Sequence, residues 1–332
     1  MQLLDLRQMP SRALEALFEE EQRHWLEELH WDYRASVQLI KKFIDAKSLA
    51  GFAALEGDGK EVAERGILAA LTGPAAPRVA GYGFYVVEDY KGLIGDLFVS
   101  ARHPRQPVAR QILDEMLATL HAVPELERIE SQLIPFGLSL DGDLEELGFR
   151  LFPRQFMLLP LSEARFEAAP VLSGLRIEPW DDRHFEACAQ LIFRAYEGHV
   201  DSEINDQYHS EAGAMKFLKN IIVLPGCGTF LPEGSFVVRP LASERLIAAV
   251  LASRVSHGVG HTTQICVLPG FQRQGLGLRL MEASIRALAS MRFHALSLTV
   301  TAANSRAVRL YERLGFKTVK TFAAAVWKNP DA

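Results

Sequence analysis

Apolar and polar positions recur along the second half of the chain with two different periods, one typical of strands and one of amphipathic helices. The alternating runs predict strands over residues 175–179, 235–239, 246–255, 261–268, 295–301 and 318–327. The helical spacing predicts helices over residues 182–196, 211–222, 275–290 and 304–314, with a polar loop after the first of them. This order is not a regular alternation of strand and helix. It predicts an α/β (α+β) fold whose mixed, mostly antiparallel sheet is flanked by helices, and it fits a doubly wound dinucleotide fold poorly.

The first half of the chain repeats this pattern. The run RVAGYGFYVVEDYKGLIGDLFV, which ends at Val99, resembles the run RLIAAVLASRVSHGVGHTTQICV, which ends at Val267, 168 residues later. A predicted helix follows each run, and the related segments LEELGF and YERLGF come after the helices. We therefore interpret the chain as two copies of one unit. The predicted division is a first domain over 1–161, a linker over 162–174 where Ala, Pro, Ser and Gly are frequent, and a second domain over 175–332.

A loop with two glycines, QRQGLG at residues 272–277, leads from a predicted strand into a predicted helix. The first turn of a helix has unpaired N–H groups and the positive end of the helix dipole, which together suit an anion. Gly275 and Gly277 would let a phosphate approach the backbone, and Arg273 would add positive charge. Two glycines at a helix start also serve tight turns, so the loop alone leaves both interpretations open.

The segment ICVLPGFQRQGLG, followed about 25 residues later by LTVTAANSRAVRLYERLGF, closely resembles the GNAT superfamily of acyl-CoA N-acyltransferases. The residues that fit its two signatures are Gln272, Gly275, Gly277, Asn304, Tyr311, Gly315 and Phe316. The resemblance covers residues 175–327. Together with the repeat, it implies two tandem GNAT-like domains with splayed central strands, an architecture similar to that of mycothiol synthases.

The resemblance also implies acetyl-CoA as cosubstrate, lying in the gap between the splayed strands, and no metal. The backbone of Ile265, Cys266 and Val267 would pair with the pantetheine arm. Asn304 and Tyr311 would face the thioester end. The pyrophosphate would be held by the loop and the first helical turn, which comprise Gln272, Arg273, Gln274, Gly275, Leu276, Gly277 and Leu278.

Transfer of an acyl group to an amine needs a base for the ammonium and an acid for the leaving thiolate. The resemblance makes Tyr311 the acid, with packing on the following LGF turn as the alternative. His261 stands where some members carry a Glu on the fourth strand, and an imidazole suits proton transfer near neutral pH. His257, Glu203 and a chain of water molecules are the competing bases. Thr299 stands where another subgroup has its Glu, so that subgroup's chemistry does not carry over.

The expected acceptor is a small-molecule or peptide amine. The segment YEGHVDSEINDQYHSE, residues 196–211, is rich in acidic side chains that could attract a cationic amine, although a solvated connector would look the same. A net charge of −5 disfavours a nucleic-acid partner. The chain shows no secretory signal or apolar run long enough to span a membrane, which predicts a cytoplasmic protein, monomeric or homodimeric. Its three widely spaced cysteines predict neither disulfides nor structural zinc.

The first copy lacks the candidate chemistry. At the offset of 168 residues Pro107 stands in the place of Gly275, and proline has no N–H to offer a phosphate. The places of Tyr311, Asn304 and His261 are taken by Leu144, Gly137 and Leu93. The sequence thus predicts a degenerate, non-catalytic first domain, with weak CoA binding there left open. It predicts an acetyl-CoA-dependent N-acetyltransferase site in the second domain, and the alternative is a non-catalytic acyl-CoA sensor or partner-recruiting module.

Overall fold

A computed structural model of the chain describes residues 1–56, 78–166 and 173–330. It divides into two compact units. Unit 1 comprises Met1–Glu28, Tyr33–Phe152 and Phe322–Ala332, and unit 2 comprises Leu29–Asp32 and Pro153–Thr321. Each unit therefore contains a strand from the other half of the sequence. The predicted division at 162–174 assigns each half of the sequence to one domain and does not include this exchange of strands. Residues 167–172 of that predicted linker lie outside the described residues.

Unit 1 is a sheet covered by helices. Its strands are β1 (Gln2–Asp5), β2 (Ala50–Leu55), β3 (Val79–Glu88), β4 (Lys91–Val99) and β5 (Arg128–Ser131), paired in that order. The end of the last strand, β13 (Lys317–Lys328), adds to β5. Neighbouring strands are antiparallel except β4 and β5, which are parallel. The described helices are α1 (Glu15–Leu29), α2 (Arg34–Asp45), α3 (Arg105–His121) and α4 (Asp141–Glu146).

Unit 2 has the same plan. Its strands are β6 (Arg150–Pro160), β7 (Leu175–Pro179), β8 (Thr229–Phe230), β9 (Phe236–Pro240), β10 (Ala248–Ser256), β11 (Val259–Val267) and β12 (Ala295–Thr301). They pair in the order β6, β12, β11, β10, β9 and β7, with β8 beside β10. Only β11 and β12 run parallel among these described pairs. The helices are α5 (Phe185–Tyr196), α6 (Val200–Ile204), α7 (Glu211–Val223), α8 (Leu276–Ser290) and α9 (Ser305–Leu314).

The predicted α/β (α+β) class and the predicted order of elements in the second half are confirmed, with element ends that differ by a few residues. The polar loop after α5 was predicted without structure, yet it contains α6 and a 3₁₀ turn at Asp206–His209. The polar side chains there are helix caps. His199 accepts a hydrogen bond from the N–H of Asp201, and Asn205 accepts one from the N–H of Gln207. Capping residues make a short helix look like a loop in the sequence.

The two units share their strand register. In unit 1 the parallel ladder runs from the pair Lys91–Arg128 to the pair Ile94–Ser131. In unit 2 it runs from Val259–Ala295 to Thr262–Leu298, at the offsets of 168 and 167 residues that relate the two halves of the sequence. The strands β4 and β11 also carry a bulge at the same place, Gly95 and Thr263 respectively. Identical register and bulge position support the interpretation of the chain as a duplicated unit.

Candidate active site

The central strands of unit 2 separate part-way along their length. The backbone ladder between β11 and β12 ends at the pair Thr262–Leu298. Beyond it, β11 continues to Val267 paired with β10, whereas β12 continues to Thr301 paired with β6. This leaves a gap along one edge of β11. Ile265, Cys266 and Val267, which the sequence predicts to pair with a ligand, lie on this stretch of β11 past the end of the ladder.

A bulge in β11 sets which side chains face the gap. In the pairing with β10, Gln264 lies opposite Leu251 and Thr262 lies opposite Ala252, so Thr263 is the additional residue. Its hydroxyl donates to the Leu251 carbonyl, which holds the bulge in place. A bulge of this kind breaks the strict alternation of side chains along a strand. It thereby re-aims the side chains of β11 at the point where β11 and β12 separate.

The helix α8 begins beside the gap with bare backbone. Gly275 precedes its first residue with φ +81°, and Arg273 in the same loop has φ +65°. No side chain caps this N-terminus. The N–H groups of the first turn have no helical partner, and the helix dipole makes them a favourable place for an anion. The predicted residues Leu276, Gly277 and Leu278 form that first turn.

Gln272 and Gly277 have different roles in this loop, since the Gln272 side chain holds the loop in place and Gly277 leaves the backbone uncovered. Gln272 donates from Nε2 to the Val267 carbonyl at 3.1 Å and accepts from Arg306 at 2.7 Å, so its side chain ties the loop to β11 and α9. A Cβ on Gly277 would meet only Leu310, at an ordinary contact distance of 3.4 Å. The protein itself therefore does not require glycine at 277, whereas a ligand close to the backbone would. Gln274 donates only to the Gly270 carbonyl.

Asn304 and Tyr311 lie at the start and on the buried side of α9. Asn304 caps the helix by accepting from the N–H of Ala307, and its amide nitrogen lies 3.3 Å from His199 Nε2. Tyr311 is buried and packs edge-on against Phe316. Its hydroxyl has no hydrogen-bond partner among the described residues. Burial, reinforced by the charge of Asp201, raises the pKa of Tyr311, so the hydroxyl keeps its proton. The ring of Tyr311 thus packs in the core, and its hydroxyl is free to donate a proton.

His261 lies in an apolar environment. It is 8% exposed, its ring meets the edge of Trp31 and stacks on Phe156, and Nδ1 lies 2.9 Å from the Ser297 hydroxyl. Burial, with the nearby charge of Arg154, lowers the pKa of His261 to about 3. The imidazole is therefore neutral near pH 7 and takes up a proton reluctantly. Its assignment as base stays a prediction, and the competing bases stay open.

Part of the acidic segment 196–211 reaches the same region. Asp201 accepts a hydrogen bond from the Thr301 hydroxyl at the end of β12, and its other oxygen lies 3.7 Å from His199 Nδ1. Glu197, in contrast, is exposed. Tyr196 and Tyr208 stack with ring centroids 4.1 Å apart. The segment therefore supplies a carboxylate and two aromatic rings to the site as well as solvated surface.

Gln264 is a site residue that the sequence argument missed. It is 5% exposed, and its Oε1 accepts a hydrogen bond from the Tyr196 hydroxyl at 2.9 Å. Its sequence context gives little signal, because His261, Thr262 and Thr263 precede it and Gln264 is one more polar residue before Ile265. Trp31 was also missed, and no pattern in the sequence connects it with His261.

The corresponding region of unit 1 contains a pair of buried carboxyl groups. The Tyr82 hydroxyl donates to Glu21 at 2.6 Å and lies 3.2 Å from Asp96, and the Tyr33 hydroxyl donates to Asp96 at 3.1 Å. The Trp25 indole donates to Glu21. Burial raises the pKa of both carboxyl groups, and the charge of Asp96 raises that of Glu21 further. The pair therefore keeps a proton to higher pH than free carboxyl groups would.

The described residues contain neither a cluster suited to a metal ion nor a helix suited to a membrane. Over those residues, no group of three or more His, Cys, Asp or Glu side chains has an arrangement that could hold a metal ion. Nor does any described helix have the length and apolar character needed to cross a bilayer. The cysteines Cys188, Cys227 and Cys266 are unpaired.

Known sequences resemble part of the second half of the chain. Residues 190–316 match the family model described as Acetyltransferase (GNAT) family. A curated N-alpha-acetyltransferase from Sulfurisphaera tokodaii is 40% identical over 62 residues, which are 18% of this chain and 37% of that protein. The match thus spans little more than a third of the length of the relative. The resemblance read from the two sequence signatures is confirmed.

Comparison with solved structures extends the likeness over both units. A GCN5-related N-acetyltransferase from Sphaerobacter thermophilus superposes with a TM-score of 0.65 at 13% identity, over 98% of this chain and 95% of that one. A tandem GNAT protein from the clavulanic acid biosynthesis pathway gives a TM-score of 0.51 at 14% identity, over 76% of this chain and 79% of that one. At these identities the likeness concerns the fold alone. The predicted tandem GNAT-like fold is confirmed.

The buried carboxyl pair of unit 1 predicts a dependence of stability on pH. Because the folded state keeps protons that the unfolded chain loses above about pH 4, folding binds protons, and stability falls as pH rises toward the raised pKa values. The variant Glu21→Gln removes one ionisable group and keeps a hydrogen-bond partner for Tyr82. We expect urea unfolding from about pH 5 to 8 to show a smaller loss of stability in this variant than in the wild type.

The matched control is Glu27→Gln, an exposed position on the same helix. Its stability should follow the wild-type curve. Equal pH dependence in wild type and Glu21→Gln would contradict the assignment of a raised pKa to the pair.

Proposed function

We propose that this chain, which carries a GNAT-family acetyltransferase segment at residues 190–316 within a tandem GNAT-like fold, transfers an acetyl group from acetyl-CoA to a primary amine in unit 2. The single observation that carries the proposal is the gap between β11 and β12, which has the uncapped start of α8 next along the chain from β11, and α9 with the buried Tyr311 next along the chain from β12. Acyl transfer is the general chemistry of the family, and acetyl-CoA is its usual donor. The assignment of donor, acceptor and site to this chain is ours.

The residues present fit an acyl-CoA. An extended pantetheine arm can add to the edge of β11 at Ile265–Val267, because that edge lies past the end of the ladder with β12. The uncapped first turn of α8 can hold the pyrophosphate, and Arg273 can add positive charge at the loop. Gly277 leaves the backbone bare there. Gln272 supports this arrangement indirectly by fixing the loop to β11.

The reaction needs formation of the C–N bond, cleavage of the C–S bond and proton transfer at one place. A neutral amine attacks the thioester carbonyl carbon, the new C–N bond forms, and the C–S bond breaks to give the CoA thiolate. Tyr311 would donate its proton to that sulfur, and the proton that the attacking nitrogen loses as the amide forms would return to Tyr311 directly or through water. The ammonium form of the acceptor must lose its proton first, and His261, His257, Glu203 or a water chain are the candidate bases. The cytoplasm, where acetyl-CoA is available, is the proposed location.

Release of CoA thiol from acetyl-CoA, measured against a panel of amines with protein in catalytic amount, tests the proposal. We expect turnover with at least one primary amine and none with the matching tertiary amine, which has no proton to lose after attack. Binding of CoA that stabilises the fold, without turnover of any amine, would instead favour the acyl-CoA sensor.

The variant Gly277→Ala tests the position of the pyrophosphate. The added methyl group makes only an ordinary contact within the protein, so the melting temperature without ligand should not fall. It would project where the phosphate approaches the backbone, and we expect the Kd for CoA to rise about tenfold or more. The control is Gly270→Ala in the same loop, where a Cβ meets nothing within 4 Å. Equal CoA affinity in both variants, measured by calorimetry, would place the pyrophosphate elsewhere.

The variant Tyr311→Phe tests the proton donor. It keeps the buried ring and its edge contact with Phe316, and it removes only the hydroxyl. We expect kcat to fall about a hundredfold or more while the KM for acetyl-CoA changes little. The control is Tyr85→Phe, at a buried tyrosine of unit 1. An unchanged kcat in Tyr311→Phe would leave this residue a packing role only.

A further inference from the structure

Gln264 has an unmet hydrogen-bonding group in the interior of unit 2. Its side chain is 5% exposed and its Oε1 is taken by the Tyr196 hydroxyl. Its Nε2, in contrast, makes no hydrogen bond of normal geometry among the described residues, and the neighbouring Tyr208 hydroxyl can engage at most one of its two N–H groups. Buried amide N–H groups are nearly always paired, and leaving one unpaired costs stability. The amide oxygen has a structural role as the partner of the Tyr196 hydroxyl, so it is the amide nitrogen that calls for another explanation.

The unpaired amide lies at the thioester end of the site. Gln264 immediately precedes Ile265 on the stretch of β11 past the end of the ladder. Through Tyr196 it is joined to the tyrosine stack, because Tyr196 and Tyr208 lie face to face with 12° between their planes. The bulge at Thr263 is what directs this side chain towards α5.

A negative charge lies close to the same hydroxyls. Asp201, held by the Thr301 hydroxyl, contributes after burial to the raised pKa of Tyr196, Tyr208 and Tyr311. It is therefore near enough to act electrostatically on all three phenols. The site thus has a carboxylate and an unpaired amide donor around the tyrosine stack, with the predicted proton donor Tyr311 beside them.

Unit 1 has no such unmet group at the equivalent place. The residue 168 positions before Gln264 is Asp96. Its oxygens accept from Tyr33 and from the N–H of Leu97, and the Tyr82 hydroxyl lies 3.2 Å from one of them. The same strand position is thus satisfied by the protein in unit 1 and left partly unsatisfied in unit 2, where the catalytic residues are predicted.

We propose that Asp201 and Gln264 bind the acceptor of the transfer reaction, Asp201 receiving its ammonium group and Gln264 Nε2 donating to an oxygen on the adjacent carbon. This assignment rests on the proposed function. It defines the acceptor as an α-amino acid, its amide or a peptide amino terminus, in which a carboxylate or carbonyl oxygen lies two bonds beyond the carbon that bears the amine. A plain alkyl amine would leave the Gln264 donor unpaired in the complex, which disfavours its binding.

A matched pair of acceptors tests this directly. Alanine amide and isopropylamine share one carbon frame, and only the first has a carbonyl oxygen beside the amine-bearing carbon. We expect the wild type to prefer alanine amide in kcat/KM. In Gln264→Leu the ratio of the two kcat/KM values should fall about tenfold or more, with the KM for acetyl-CoA unchanged.

Two further variants separate the two contacts. Asp201→Asn keeps an acceptor for Thr301 but loses the charge, so the KM values of both amines should rise together and their ratio should stay near that of the wild type. Thr262→Val is the matched control, because Thr262 is also a buried residue of β11 whose hydroxyl has no partner among the described residues. In Thr262→Val the ratio of the two kcat/KM values should equal that of the wild type.

The outcomes distinguish this inference from the proposed function. Turnover with an unchanged ratio in Gln264→Leu would overturn the inference and leave the acetyltransferase assignment standing. Absence of turnover with every amine would overturn the proposed function. Calorimetric titration of alanine amide into the CoA-loaded protein would then test the acceptor site on its own. Binding that is lost in Gln264→Leu supports the acceptor site, and binding that is absent or equal in both proteins overturns it.

Discussion

The backbone ladder between β11 and β12 ends at the Thr262–Leu298 pair, and the chemistry proposed for unit 2 depends on that ending. Each strand beyond it remains held by its outer neighbour, β10 on one side and β6 on the other, so the gap is supported on both sides. A strand edge outside a ladder offers N–H and C=O groups to an extended ligand. Because α8 follows β11 after a short turn, one element supplies the edge and the next supplies the proposed anion site.

The two units show what the same framework does with different polar residues. Register and bulge are shared, so the backbone geometry at the gap is common to both. In unit 1 the surrounding polar groups satisfy one another through Glu21, Asp96 and two tyrosines. In unit 2 a stacked tyrosine pair and Gln264 leave an amide donor unmet. The two units differ in their side-chain hydrogen bonds and in the start of the helix that follows the gap. Pro104 and Pro107 stand at that start in unit 1, and Gly275 and Gly277 stand there in unit 2.

The features of the fold that could be predicted are those with a short-range pattern in the sequence. Alternation, helical spacing and the glycine loop are short-range signals, and they gave the order of elements, the duplication and the position of the helix start that we propose binds an anion. Strand pairing between distant segments has no local signature, so the addition of Phe322–Lys328 to unit 1 was not foreseen. The burial of His261 depends on Trp31, which comes from the other half of the sequence. Gln264 was overlooked because one more polar residue after Thr262 and Thr263 carries no meaning until its hydrogen-bond partners are known.

Amide hydrogen exchange with and without CoA, combined with the calorimetric stoichiometry, tests the central claim most directly. The account predicts one CoA per chain, with slower exchange at Ile265–Val267 and at Leu276–Leu278. The equivalent strand segment of unit 1, Leu97–Val99, should be unchanged. Slower exchange confined to unit 1, or saturable CoA binding that leaves both segments of unit 2 unaffected, would contradict it.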